Sequence, residues 1–127
     1  MKDIENKEDI LQLVTLFYKK LLEDKSISYI FTDVVKIKLE EHLPILVTFW
    51  SQAVLGTGGY TNNLTQLHLD VNAKSYLSPE LFTIWLNHFN TSVDELFLGE
   101  KSEQIKTQAL SIGTVLQIKI ANDKQNS

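Results

Sequence analysis

The chain of 127 residues contains no cysteine. This absence excludes disulfides, thiolate metal ligands and iron–sulfur clusters. No apolar run approaches the roughly 18 residues of a membrane span, and the charged start, Met-Lys-Asp-Ile-Glu-Asn, is unlike a signal peptide. The sequence therefore predicts a soluble, cytoplasmic protein.

Motifs for several common activities are also missing. The net charge of −4 comes from dispersed acids, and the lysines form no stripe with aromatics, so neither nucleic acid nor an anionic membrane is favoured as a partner. There is no Gly-x-Ser-x-Gly elbow, and the glycine-rich residues 56–59 match neither a phosphate loop nor a dinucleotide fingerprint. Paired carboxylates such as Glu40/Glu41 and Asp94/Glu95 are adjacent in helices and do not face each other. We interpret them as surface charge.

Apolar residues recur at helical spacing in four stretches, without a convincing alternating strand or an internal repeat. The pattern predicts helices over about residues 7–22, 39–55, 79–97 and 102–120. Asn6 is the expected cap of the first helix and Ser78-Pro79-Glu80 begins the third, while Pro44 either lies in the first turn of the second helix or kinks it. Residues 70–77 show no clear period. With 43% hydrophobic content, we expect one compact all-α domain over residues 1–127, with a disordered polar tail at about 121–127.

The three histidines are the main candidates for chemistry. His68 lies in a short apolar run between the glycine break and the helix start at Ser78, and a positioned neutral imidazole is a candidate axial ligand of haem iron. The alternative for a lone histidine on an apolar face is a hydrogen-bonded boundary residue, which is the commoner role. His42 shares a helix face with Leu46, whereas His88 lies off its apolar stripe, so we expect a surface or edge role for His88.

A haem site is the hypothesis that uses the most of these residues. A flat porphyrin needs two apolar walls, one axial imidazole and a few hydrogen-bond donors. The candidate walls are Phe31, Leu46, Phe49, Phe82 and Leu86, and the candidate donors are Tyr18, His42 and Trp85. Without cysteine the haem would be held non-covalently. Two alternatives stay open: a non-haem iron site of His42, His68 and Asp70, and a haem-free helical binding module in which these residues only pack.

Several motifs in this order resemble the third group of truncated haemoglobins, a bacterial branch with a shortened globin fold. The most specific are His42-x7-Trp50, Tyr60-x7-His68 and Phe82-x2-Trp85-Leu86, and the similarity covers about residues 3–120. Two positions depart from the family pattern. Asn62-Asn63 replaces a turn of small residues, and Asn72 stands where relatives often carry a second histidine.

The resemblance implies a two-over-two helical sandwich around haem b, with His68 as the proximal ligand of a pentacoordinate iron. The expected haem-binding residues are His68, Phe31, Leu46, Phe49, Tyr60 and Phe82, and the expected distal residues are Tyr18, His42 and Trp85. The expected function is binding of dioxygen or another diatomic ligand, with slow release through distal hydrogen bonds. Nitric oxide dioxygenation or peroxidase-like turnover is the enzymatic alternative, and it would need an electron donor that the sequence does not identify.

Overall fold

The computed structural model describes residues 1–58 and 64–125, and within them it is helical without any strand. The helices are α1 (Lys7–Glu23), α2 (Leu39–Leu55), α3 (Leu64–Lys74), α4 (Pro79–Leu96) and α5 (Glu100–Gln125). A short π-helical turn, Ile30–Val34, lies between α1 and α2. The α1–α2 pair packs on the α4–α5 pair through contacts of α1 with α4 and of α2 with α5, while α3 packs against α5. The predicted all-α, two-over-two architecture is confirmed.

Local sequence signals begin two of the helices at the predicted residues. The side-chain oxygen of Asn6 accepts a hydrogen bond from the amide of Asp9 at 3.0 Å. At the start of α4, the hydroxyl of Ser78 accepts one from the amide of Leu81 at 3.3 Å, with Pro79 in the first turn. Each bond satisfies an amide that has no partner inside its own helix, which stabilises the helix start. The apolar face of α1 is then buried against the other helices, with Ile10, Leu13, Val14, Phe17 and Leu21 all at most 2% exposed.

Four main helices were predicted, and residues 64–74 form a fifth that was not predicted, α3. Its cavity-facing stripe is Leu67, His68 and Val71. Histidine is counted as a polar residue when apolar periodicity is assessed, so the sequence shows no continuous apolar stripe here, although His68 lies on the cavity-facing side. The helix Leu39–Leu55 begins five residues before Pro44, so Pro44 lies in its second turn. The expectation that Pro44 lies in the first turn was therefore wrong.

Helix α5 is longer than predicted at both ends, running from Glu100 to Gln125. Residues 121–125, which we expected in a disordered tail, continue the helix, because no glycine or proline there interrupts it. Residues 126 and 127, the rest of that predicted tail, lie outside the described residues. Within residues 1–58 and 64–125, no helix is long and apolar enough to cross a membrane.

Asp3, in the N-terminal segment, caps the start of α5, which is far from it in the sequence. The Asp3 carboxylate accepts hydrogen bonds from the amides of Lys101 and Ser102, both at 2.9 Å, and from the Ser102 hydroxyl at 2.7 Å. Burial alone would raise the pKa of Asp3, but these hydrogen bonds outweigh it and lower the pKa to about 2. Gly99, at φ 150°, leaves room for this contact, since a Cβ there would overlap the Asp3 carboxylate. Asp3 therefore holds the first turn of α5 in place.

We expect Asp3→Ala to lower the free energy of unfolding by roughly 1–2 kcal/mol near neutral pH, because it removes a helix cap with several bonds. The folded pKa is depressed from 3.8 to about 2, so this stabilisation is complete above the unfolded pKa and is lost as the pH falls toward the folded pKa. Urea unfolding of parent and variant between neutral pH and about pH 2 measures the difference. Glu23→Gln, which alters an exposed carboxylate of α1, is the control. An Asp3→Ala effect as small as that of the control would contradict the cap.

Candidate functional site

A cavity of about 450 Å³ lies between the helices. Its volume and mostly apolar lining are typical of pockets for small molecules and cofactors. Among the described residues that line it, none carries a carboxylate or an ammonium group. The lining residues with a polar side-chain atom are Tyr18, His42, Trp50, His68 and Trp85. The cavity is therefore suited to a large apolar molecule that meets a few hydrogen-bonding or metal-ligating groups.

Tyr18 and His42 form a hydrogen-bonded pair in this cavity. The Tyr18 hydroxyl lies 2.9 Å from Nε2 of His42, and the Tyr18 side chain is only 5% exposed. Burial raises the pKa of Tyr18 and lowers the pKa of His42, because both charged forms are disfavoured away from water. Near neutral pH the pair is thus a phenol and a neutral imidazole. Tyr18, a candidate donor in the sequence, therefore points inward, and its hydroxyl has an imidazole as its partner.

The tautomer of His42 determines what Tyr18 can do for a molecule in the cavity. If Nε2 carries no proton, the phenol donates to it and presents only lone pairs to a ligand. If Nε2 carries the proton, it donates to the phenol oxygen, and the Tyr18 O–H is free to donate to a ligand. A buried molecule that accepts hydrogen bonds favours the second arrangement.

Packing of aromatic rings holds these polar groups in place. Phe17 makes edge-to-face contacts with Tyr18, Trp85 and Phe89, with ring centroids 5.4, 5.8 and 5.1 Å apart. Phe31 packs edge-on against Tyr18 with centroids 5.5 Å apart. Such contacts restrict the rings to a few orientations, so Tyr18 and Trp85 face the cavity as rigid groups.

His68 lines the cavity from α3. Within the described ranges, 1–58 and 64–125, no three His, Cys, Asp or Glu side chains come together to hold a metal ion. The structure therefore does not assemble the non-haem iron site of His42, His68 and Asp70. A metal ligated by one imidazole would need its other ligands from a cofactor, as iron in a porphyrin has.

Comparison with known proteins identifies the family. No model of a known protein family matches the chain. A curated protein of Campylobacter jejuni, the group 3 truncated haemoglobin ctb, is 30% identical over 115 residues, which are 88% of this chain and 88% of that protein. This chain belongs to the group III truncated haemoglobins. The crystal structure of the group III truncated haemoglobin from C. jejuni matches with a TM-score of 0.84 and 29% sequence identity, covering 94% of this chain and 95% of that one.

Membership of this family confirms the shortened globin fold that the motifs indicated, and the cofactor of the globin family is haem iron. The structure brings all the predicted site residues that it describes to one cavity: His68, Phe31, Leu46, Phe49, Phe82, Tyr18, His42 and Trp85. Tyr60 lies outside the described residues. Leu86, a candidate wall residue, instead packs against the core, because it lies about 100° around the helix from Trp85.

Sequence reasoning missed several lining residues, among them Leu77, Leu81, Ile112 and Leu116. The stripe of α5 was visible in the sequence, but a stripe does not show whether it faces a cavity or the packed core. His88 has the expected edge role, since its Nε2 lies 2.7 Å from a carboxylate oxygen of Asp24 and its side chain is 21% exposed. It lies outside the cavity lining.

We expect His42 to make the haem-free protein less stable as the pH falls below its ordinary pKa of 6.5. Burial lowers the pKa of His42 in the folded protein, so the unfolded chain binds a proton at a higher pH than the folded one does. The free energy of unfolding therefore decreases as the pH falls from 6.5 toward the folded pKa. In His42→Gln, which keeps a hydrogen-bonding group but does not titrate, the pH slope should be smaller by up to about 1.4 kcal/mol per pH unit. Urea unfolding across this range measures it. Tyr18→Phe, which retains the imidazole, should keep the parent slope, and equal slopes in parent and His42→Gln would contradict the prediction.

Proposed function

We propose that the cavity binds haem b non-covalently with His68 as the axial ligand of a pentacoordinate iron, and that the protein binds dioxygen or another diatomic ligand beside Tyr18, His42 and Trp85. The observation that carries the proposal is that His68 and the hydrogen-bonded Tyr18–His42 pair line the same, mostly apolar cavity. The similarity to a truncated haemoglobin of C. jejuni supports the proposed haem site.

The cavity fits haem by its chemistry. Aromatic and aliphatic side chains from all five helices surround a volume of about 450 Å³, and such walls suit a flat, apolar ring. A buried carboxylate or ammonium group would have to be desolvated next to that ring, and the described lining contains none. The walls include Phe31, Leu46, Phe49 and Phe82, which we propose as haem-binding residues.

Two histidines line the cavity, and His42 is the less suited of the two to ligate iron. Nε2 of His42 lies 2.9 Å from the Tyr18 hydroxyl, so ligation through that nitrogen would break a buried hydrogen bond and leave the phenol without a partner. His68 lines the same cavity from another helix, α3. His68 is therefore the better proximal ligand, and His42 remains with Tyr18 on the ligand-binding side.

Haem iron, when bound, supplies a reversible site for diatomic gases and a centre for one-electron chemistry. Tyr18 stays protonated, because burial raises its pKa, and it can donate to the gas when His42 carries its proton on Nε2. Trp85 can donate through its indole N–H, whatever the state of His42. A hydrogen bond to a charged acceptor contributes about 1.5–3 kcal/mol, which corresponds to roughly 10- to 100-fold slower release per donor.

Redox chemistry on the retained gas is the second candidate function. The Tyr18–His42 pair holds a transferable proton between a phenol and an imidazole in the same cavity, which nitric oxide dioxygenation or peroxidase-like turnover would use as general acid or base. Long retention also suits reaction better than delivery. Reductive turnover would require an electron donor.

A hemin titration tests the haem site against the haem-free module. We expect the protein to gain a Soret band with one equivalent of hemin, and the reduced protein to change its spectrum with carbon monoxide. His68→Ala should lose most haem affinity or change the ferrous spectrum, because the iron loses its protein ligand. His88→Ala, which changes a histidine outside the cavity, is the control. Protein that stays colourless with hemin would refute haem binding, and an unchanged His68→Ala spectrum would refute the ligand assignment.

Dioxygen dissociation tests the two proposed donors. We expect Tyr18→Phe and Trp85→Phe each to release dioxygen roughly 10- to 100-fold faster than the parent, since each loses one hydrogen bond to a partly anionic acceptor. Stopped-flow displacement by carbon monoxide measures the rate. Phe49→Leu changes the wall without removing a donor and should have a smaller effect. Rates equal to the parent in both donor variants would rule out the hydrogen-bond mechanism.

A further inference from the structure

The exposed residues of the lining show where the cavity opens. Most lining side chains are buried or half-buried, but Val35, Ile45 and Leu67 are 39%, 43% and 47% exposed. They lie after the π-helical turn, on α2 and on α3. The cavity therefore has a mouth between these three elements.

Two lysines lie beside lining residues in the segment that contains Val35. Val35 and Ile37 line the cavity, and the exposed Lys36 and Lys38 follow each of them directly in the chain. Consecutive Cα atoms are about 3.8 Å apart, so the backbone of each lysine lies next to a residue that lines the cavity. In the part of the chain that the structure describes, neither lysine forms an ion pair with a carboxylate.

Lys36 occupies a backbone position where glycine is usual. Its φ of 54° is the only positive value at a non-glycine residue in residues 1–58 and 64–125. The amides of Val35 and Ile37 bond to the carbonyls of Ile30 and Phe31, both at 2.9 Å, as in a helix that ends through a left-handed residue. A side chain with a Cβ is strained in this conformation, so local structure does not explain a lysine there.

Lys38 also departs from the local rule. It is the N-cap of α2, with φ −99° and ψ 108°, and its side chain makes no capping bond. Ser, Thr, Asp and Asn are preferred at this position, and a positive charge is unfavourable at a helix N-terminus. Two departures within three residues, both toward lysine, indicate a role for the charge itself.

We propose that Lys36 and Lys38 bind the two carboxylate groups of haem at the mouth of the cavity and so fix how the porphyrin is turned in its plane. This inference rests on the proposed function. The carboxylates are the charged groups at the edge of haem, and the described lining offers them no cation, so they must lie at the opening. Four acidic residues lie on the elements that form the mouth: Asp33 in the π-helical turn, Glu40 and Glu41 in the first turn of α2, and Asp70 on α3. Within the described ranges none of them forms an ion pair with Lys36 or Lys38, and Asp70 accepts a hydrogen bond from the side-chain amide of Gln66 at 2.8 Å. Both lysines are thus available to a carboxylate from the cofactor.

The double variant Lys36→Gly, Lys38→Ser tests the proposal, because folding and haem binding should change in opposite directions. Glycine relieves the left-handed strain and serine supplies a cap, so we expect the haem-free protein to unfold at a higher urea concentration. Haem loss to an excess of apo-globin should be roughly 3- to 20-fold faster than in the parent, since two partly exposed ion pairs are lost. The parent rate should also rise with salt, while the variant rate should be nearly independent of it.

Two controls isolate the carboxylates. The pair Lys19→Gln, Lys119→Gln removes the same charge from exposed positions on α1 and α5 and should keep the parent rate of haem loss. With haem dimethyl ester, which lacks both carboxylates, parent and double variant should lose the cofactor at the same rate. If the parent binds haem but loses it as fast as the double variant does, the role of the lysines is refuted while the proposed function stands. The role of the lysines is also refuted if the double variant loses the dimethyl ester faster than the parent by the same factor as it loses haem. A parent that takes up no haem would overturn the proposed function and this inference together.

Discussion

The hydrogen bond between Tyr18 and His42 is the constraint on which the chemistry of the cavity depends. It joins α1 to α2 at 2.9 Å, and burial keeps both partners neutral, since their pKa values move away from the charged forms. A buried phenol and imidazole without each other would each leave polar atoms unsatisfied at a cost of about 1–3 kcal/mol. The pair is therefore stable as a unit, and it holds one proton that can point toward His42 or toward a molecule in the cavity. Which way it points depends on what the cavity contains.

The aromatic cluster around Phe17 makes that pair rigid. Phe17 contacts both Tyr18 and Trp85 edge-on, while Trp85 and Trp50 stack on Phe89 with interplanar angles of 15° and 29°. A donor that is already oriented loses little conformational freedom when a ligand arrives, so its hydrogen bond contributes more to retention. The large side chains of the core thus fix the position of the polar groups as well as stabilising the fold.

Much of the fold could be predicted because its signals are local. The caps of α1 and α4 and the apolar stripe of α1 are each visible within one or two helical turns of sequence, and the structure has them at the predicted residues. Helix α3 was not predicted, because its stripe includes His68 and its amphipathic character is weak. The partner of Tyr18 could not be predicted from local patterns either, since His42 is 24 positions away. Likewise, Ile112 and Leu116 belong to a recognisable stripe, but only the packing of the helices shows that they face a cavity.

Helix α3 depends on its neighbours for its position, and this links His68 to the far end of the chain. With little amphipathic pattern of its own, α3 is held by packing on α5. Helix α5 also supplies Ile112 and Leu116 to the cavity, and its first turn is fixed by the Asp3 carboxylate through three hydrogen bonds. The amide of Leu98 adds a bond to the carbonyl of Lys2 at 3.0 Å. A shift of α5 along its axis would displace both the cavity wall and the helix that bears His68. The N-terminal segment is therefore part of what sets the geometry of the site.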